Sequence, residues 1–231
     1  MTVRAAAVVL AAGSGTRVGA GTNKVLLPLA GVAILAQSVR TVLDVTQVHR
    51  VVLVCRAGEQ AAVESAVAPH LGAHDLWVVE GGAQRHDSEW RALLALAQDI
   101  DAGELDVLAI HDGARPLATV ELWGAVIAAA AEHGGAIPVV ATPRLSHRDG
   151  SLAPDRLVGV QTPQAFRAPE LLEAYRQADA AGFVGTDTAA CVERFTDLQV
   201  RAVPGERSNL KVTFPEDLSQ AAELLRSRRS D

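Results

Sequence analysis

The residues best suited to chemistry begin at position 10, where Leu10-Ala11-Ala12-Gly13-Ser14-Gly15-Thr16-Arg17 is followed by Lys24. Small residues directly after an apolar run let the backbone approach a ligand closely and leave amide groups free for phosphate oxygens. Arg17 and Lys24 can then neutralise a triphosphate. The spacing is not that of a Walker A loop, because no Gly-Lys-Ser/Thr closes it. It also misses the dinucleotide fingerprint, whose third glycine here falls one position late, at Gly19. A plain strand–loop–helix turn accounts for the glycines alone; the two cations turn the reading toward phosphate.

A second candidate is Asp112, which follows the apolar run Val107–Ile110 and so belongs at the carboxyl end of a strand. One carboxylate there can hold Mg²⁺, a cation that bridges nucleotide phosphates through few protein ligands. Arg115 lies three residues on, and the pair can equally form a local ion bridge that fixes the turn. Both readings can hold together. Ser88, after Gly81-Gly82 and Arg85, offers a hydroxyl to a ligand or to the cap of a helix. His111 stands alone beside Asp112 and is read as structural.

Those positions need a scaffold. Apolar β-rich runs at Ala5–Leu10, Arg50–Cys55, Leu76–Val79, Val107–Ile110 and Ala136–Val140 alternate with helical patterns at Ala33–Leu43, Glu59–His70, Ser88–Ala97 and Val120–Glu132. Near-continuous apolar strands between amphipathic helices predict an α/β fold: a Rossmann-like, mostly parallel twisted sheet with helices on both faces. Ligands in such sheets bind beyond the carboxyl ends of the strands, which is where the glycine loop and Asp112 fall. The alternation breaks after Val140, and residues 141–160 read as a small protruding β-arm with a turn at Asp149-Gly150. Helices return at Pro169–Ala181 and Thr186–Phe195, then a strand at Gln199–Val203 and a last helix from about Glu216, with Pro215 in its first turn.

Composition removes other classes. At 231 residues, one domain spanning 1–231 is expected. The 49% apolar content supplies a core, while one Tyr, four Phe and three Trp make aromatic stacking a poor main recognition device. A net charge of −6 disfavours a broad nucleic-acid-binding surface. Cys55 and Cys191 form no Cys-x-x-Cys pair, which points to a reducing compartment. The N-terminal apolar stretch runs straight into the glycine loop and is read as a buried strand instead of a signal peptide. No run reaches the roughly 20 apolar residues of a membrane span; a soluble cytoplasmic protein is expected.

The set of motifs resembles the 2-C-methyl-D-erythritol 4-phosphate cytidylyltransferase family, within the sugar-nucleotide pyrophosphorylase-like nucleotidyltransferases. It comprises Ala11-Ala12-Gly13-Ser14-Gly15-Thr16-Arg17 with Lys24, Gly81-Gly82-Ala83-Gln84-Arg85 with Ser88, and His111-Asp112-Gly113-Ala114-Arg115-Pro116. Further along come Gln161-Thr162-Pro163-Gln164-Ala165-Phe166, Gly185-Thr186-Asp187, and Asn209-Leu210-Lys211-Val212-Thr213 leading into Pro215-Glu216-Asp217-Leu218. The resemblance implies transfer of a cytidylyl group from CTP to methylerythritol phosphate, with Mg²⁺ and release of pyrophosphate. It implies that Arg17 and Lys24 stabilise charge at the attacked phosphorus and that Ala11, Ala12, Gly13, Ser14, Gly15, Gly82, Arg85, Ser88 and Asp112 hold the nucleotide and its metal. Lys211 and Arg156 would position the acceptor phosphate, with Arg115, Thr142 and Thr188 contacting the acceptor. It also implies a homodimer whose arms exchange, so that Thr142 and Arg156 act across the interface. The nucleophile is itself a phosphate monoester with a second pKa near 6, which explains a site of cations with no His–Asp or Ser–His pair.

The departures gather on the acceptor side. Ala141-Thr142-Pro143-Arg144 stands where Asp-Thr-x-Lys is usual, Arg156 sits close to Thr162, Ala83 replaces an acidic or polar residue, and Thr188 stands where Glu is frequent. Alternatives left open are ribitol 5-phosphate or another polyol phosphate as acceptor, and a catalytically silent nucleotide-binding paralogue. A dinucleotide-binding protein is disfavoured by the glycine spacing.

Overall fold

The computed structural model describes residues 2–13, 23–142 and 157–228. Strand β1 (Ala5–Leu10) runs through the middle of the main sheet, parallel to β4 (Val48–Cys55) on one side and to β6 (Val107–Asp112) on the other. Side chains alternate across a strand, and here both faces are covered. Ala5, Ala7 and Val9 face α1 (Ile34–Leu43), α2 (Gln60–Val67) and α4 (Val120–His133). Ala6 and Val8 face α3 (Arg85–Asp101), α5 (Ala168–Ala181) and α6 (Thr188–Phe195). Three alanines in β1 let helices approach closely; each valine buried there contributes about 1.5–3 kcal/mol.

Among the described residues the main sheet has the order β10 (Gln199–Pro204), β7 (Gly134–Ala141), β9 (Gln164–Arg167), β6, β1, β4, β5 (Trp77–Glu80). The expected parallel pattern is interrupted by β9, which runs antiparallel between β6 and β7. Four residues following Thr162-Pro163 give no periodic signal, so their place in the sheet is a tertiary outcome. Gly135 makes the insertion possible, since a Cβ there would lie 2.7 Å from the Phe166 ring. Strand β8 (Val158–Val160) pairs antiparallel with the far end of β7, and the Thr142 hydroxyl donates to the Leu157 carbonyl at 3.0 Å. This pairing takes in the two ends of the arm expected at 141–160; residues 143–156, with the turn expected at Asp149-Gly150, lie outside the described residues.

A third apolar cluster sets the geometry of the site. The hairpin of β2 (Pro28–Leu29) and β3 (Val32–Ala33) and the C-terminal helix α7 (Pro215–Ser227) bury Leu29, Ile34, Leu117, Val212 and Ala221 together. Asp217 caps α7 by accepting from the amides of Thr213 and Phe214 at 2.7 and 2.8 Å. The amide of Val212 donates to Ala114 at 2.8 Å. The segment carrying Lys211 is thereby fastened beside the end of β6.

Candidate active site

A cavity of about 710 Å³ opens at the carboxyl ends of β1, β4, β5 and β6. Its described lining includes Ala11, Ala12 and Gly13 after β1, Gly81 and Gly82 after β5, Asp112 at the end of β6, and both Lys24 and Lys211. Among the described residues, five cations line it (Lys24, Arg56, Arg85, Arg91 and Lys211) against the single carboxylate of Asp112. In a chain of net charge −6, that local excess of positive charge marks a polyanion site.

Each wall has a local cause. Asn23 staples the turn that carries Lys24 to the sheet, its side-chain amide donating to the Ala11 carbonyl at 2.8 Å and to Glu59 at 2.7 Å. The Gly81-Gly82 turn is braced by Ser88, whose Oγ accepts from the Gly82 amide at 3.1 Å and donates to the Gln84 carbonyl at 3.0 Å. Ser88 lies inside α3 and is no cap, because the helix starts three residues earlier than its apolar pattern indicates. The Gln84 amide at its entry is satisfied by Asp87 at 2.9 Å. Glycine is required in this turn by space: a Cβ on Gly82 would lie 2.2 Å from the Cβ of Asp87. Gly82→Ala is therefore expected to cost about 1–3 kcal/mol, read as a lower urea midpoint.

Asp112 is the hub. It is 7% exposed, and its Oδ2 lies 2.9 Å from Lys211 Nζ and 3.6 Å from Arg115 Nε, while Arg85 Nη1 contacts its Oδ1. Burial alone would raise its pKa, yet Arg85 and Lys211 hold it well below the usual carboxylate range. Arg85 in turn lies between two carboxylates, with its Nε 2.8 Å from Glu89. Burial works against its charge, but Asp112 and Glu89 outweigh that and raise its pKa. Glu89 is 1% exposed; it accepts from Tyr175 and, at 2.9 Å, from Thr188. Burial pushes the Glu89 carboxyl upward, opposed chiefly by Arg85.

Not every expected residue reaches the cavity. Ser14, Gly15, Arg17 and Arg156 lie outside the described residues. Thr188 corrects the sequence reading: it is 0% exposed and its hydroxyl is given to Glu89, so it cannot touch an acceptor. Its place at the first turn of α6, facing α3, is invisible in a linear motif. Arg115 is likewise absent from the lining. Its guanidinium donates to the carbonyls of Asn209 at 2.8 Å and Val160 at 3.4 Å and sits against Asp112. It ties three segments together instead of facing the cavity. Thr142 is at the arm's neck, away from this chain's own cavity. Arg56 and Arg91 on the cavity wall and Glu89 behind it belong to no motif of the sequence. The strand-end position of Arg56 was the available signal; Glu89 had none, being one acidic residue in an amphipathic helix.

His111 is buried behind Asp112, with Nδ1 against Thr162 Oγ1 and Nε2 against the Arg115 carbonyl, both at 3.1 Å. Burial lowers its pKa to about 4. An unfolded histidine titrates near 6.5, so between these values the unfolded chain takes up a proton that the folded one refuses. Stability is therefore expected to fall as pH drops from 6.5 to 4, by at most about 3 kcal/mol. Urea midpoints across that range should show a slope that His111→Asn flattens.

A protein-family model described as 2-C-methyl-D-erythritol 4-phosphate cytidylyltransferase matches residues 5–227. Among curated proteins of that name, one from Pelotomaculum thermopropionicum is 38% identical, with 98% of this chain and 96% of the relative covered. Another, from Symbiobacterium thermophilum, is 41% identical over 94% and 91%. Among solved structures, the 4-diphosphocytidyl-2C-methyl-D-erythritol synthase of Anaerococcus prevotii superposes with a TM-score of 0.81 at 27% identity, covering 97% of each chain. The 2-C-methyl-D-erythritol 4-phosphate cytidylyltransferase of Thermus thermophilus does so at 0.76 and 27%, covering 97% of this chain and all of the other.

Proposed function

The chain belongs to the 2-C-methyl-D-erythritol 4-phosphate cytidylyltransferase family, and from that membership we propose the part each of its residues plays. The enzyme transfers a cytidylyl group from CTP to 2-C-methyl-D-erythritol 4-phosphate, giving CDP-methylerythritol and pyrophosphate. An oxygen of the acceptor's phosphate attacks the α-phosphorus of CTP; a new phosphoanhydride forms as the bond to the β-phosphate breaks. Since the nucleophile is already anionic, the protein's task is to bind, align and neutralise.

Lys24, with Arg17, clamps the triphosphate beside the amides of Ala11–Gly13. The Gly81-Gly82 turn and Ser88 form the opposite wall, where the backbone approaches closely enough to read the cytosine edge. Lys211, held by Asp112, positions the incoming phosphate. The observation that carries this assignment is that Lys24 and Lys211, from opposite ends of the chain, line one cavity floored by glycines.

Asp112 is the candidate ligand for Mg²⁺. Among the described residues no cluster of three His, Cys, Asp or Glu side chains is present. Mg²⁺ takes one or two carboxylates and fills its shell with phosphates and water, and one buried, firmly ionised carboxylate on the cavity wall fits that demand. When bound, the ion would supply charge neutralisation on the triphosphate.

The acceptor side is assigned to Arg156 and Thr142 in the arm, acting across a homodimer. Leu157, Val158 and Val160 at its neck are 44%, 49% and 44% exposed, an apolar strip suited to a second copy. We read residues 1–231 as one nucleotidyltransferase domain. A cytoplasmic location is consistent with two buried free cysteines; among the described residues no helix is long and apolar enough to cross a membrane. Pyrophosphate release from CTP, assayed with methylerythritol phosphate and with ribitol 5-phosphate in turn, tests the reading. Equal turnover with both, or none with either, would count against it.

A further inference from the structure

We propose that Glu89 is a positioning residue for the transfer, acting through Arg85 and Asp112 on Lys211. The proposal rests on the assignment of Lys211 made above. Glu89 does not line the cavity, yet a carboxylate 1% exposed costs several kcal/mol to bury unless it is paired. Here it is paired on three sides. Thr188, from α6, donates to Oε1 at 2.9 Å; Tyr175, from α5, donates to Oε2; and Arg85 Nε lies 2.8 Å away. Two helices therefore hold the carboxylate in place before it meets the arginine.

The Arg85 contact is close but too bent for a hydrogen bond, and Arg85 Nε is left without a hydrogen-bond partner. The attraction is between charges. The guanidinium is a rigid plane, and with its Nε side held inward by the charge of Glu89, its Nη1 reaches Asp112 Oδ1. The other oxygen of Asp112 receives Lys211 Nζ at 2.9 Å. Lys211 carries its charge on a flexible four-carbon stem and needs such a stop. A chain of four charges of alternating sign thus runs from the interior to the cavity wall: Glu89, Arg85, Asp112, Lys211.

Without the Glu89 charge, Arg85 keeps Asp112 as its one close carboxylate among the described residues and can swing toward the phosphates. Asp112 would turn with it, and Lys211 would lose its fixed point. Misplacement of a reacting group by about 1 Å can cost about 100-fold in rate.

The test is Glu89→Gln, which keeps the shape and removes the charge, alongside Glu89→Ala/Thr188→Glu, which supplies a carboxylate from the contacting position on α6. In steady-state assays with CTP and methylerythritol phosphate, Glu89→Gln should lose about 10- to 100-fold in kcat, with the KM for CTP changing little. The double variant should recover most of that loss. Thermal melts separate these effects from unfolding. A folded Glu89→Gln protein with wild-type kcat overturns the proposal, as does a folded double variant as impaired as the single one. If Glu89→Gln does not fold, the double variant decides against the wild type: a kcat near the wild-type value supports the proposal and a loss of about 10-fold or more overturns it; if neither folds, Glu89 is a stability residue and the proposal fails. Wild-type turnover measured in parallel keeps the premises apart, since an inactive wild type counts against the reaction assignment and not against the relay.

Discussion

Lys24→Ala lowers kcat by about 10²- to 10³-fold, the expected cost of removing one preorganised positive donor from the charge that develops at the α-phosphorus. The fall in kcat should exceed the rise in the KM for CTP, because negative charge builds on the attacked phosphorus beyond its ground-state value and the lysine meets that excess most strongly. Stability should change little: Lys24 is half-buried on a short turn that Asn23 fastens to Ala11 and Glu59. Steady-state kinetics and a thermal melt on the same preparation check both parts. Near-normal turnover in a folded variant would remove Lys24 from the clamp, and the cavity would need another owner for that role.

Asp112→Asn should act on fold and rate together. The side chain compensates Arg85, Arg115 and Lys211 at once, and breaking a buried ion pair from one side costs about 3–5 kcal/mol. Because its carboxyl is held below the usual range, the wild-type charge persists through neutral and mildly acidic pH and is lost as pH falls below that range. The stability deficit of the variant should therefore be present at pH 7 and shrink in strong acid, where the wild type also loses the charge. Urea titrations at several pH values would read this, and a pH-independent deficit would show that packing, not charge, is what Asp112 supplies. Any residual activity should show weaker dependence on added Mg²⁺ if the carboxylate holds the metal.

The pattern of apolar runs located β1 at its true bounds and placed β4, β5, β6, β7 and β10 within a few residues. A strand covered on both faces, as β1 is, has to be apolar throughout, and that requirement is written locally. The glycine turns were legible for a similar reason, since close backbone approach demands a residue without a side chain wherever the chain folds. Strand β9 was not legible: its four residues acquire their role from the gap between β6 and β7 and from the space left by Gly135. The start of α3 was placed late because Arg85 and His86 carry no apolar signal, although the Gln84–Asp87 amide contact fixes the helix entry there.

What the amino-acid order determined by itself was the kind of molecule and the kind of chemistry. Periodicity commits each segment to a helix or strand, a parallel sheet commits ligands to the carboxyl ends, and the residue types at those ends commit the site to phosphate. Which side chains share it was decided only by the tertiary structure. Thr188 was drawn into the interior and Arg115 into ties with Asn209 and Val160, while Arg56 joined the cavity wall and Glu89 came to lie behind it through Arg85. Pairing among charges depends on distance and burial in three dimensions, and neither is encoded in spacing along the chain.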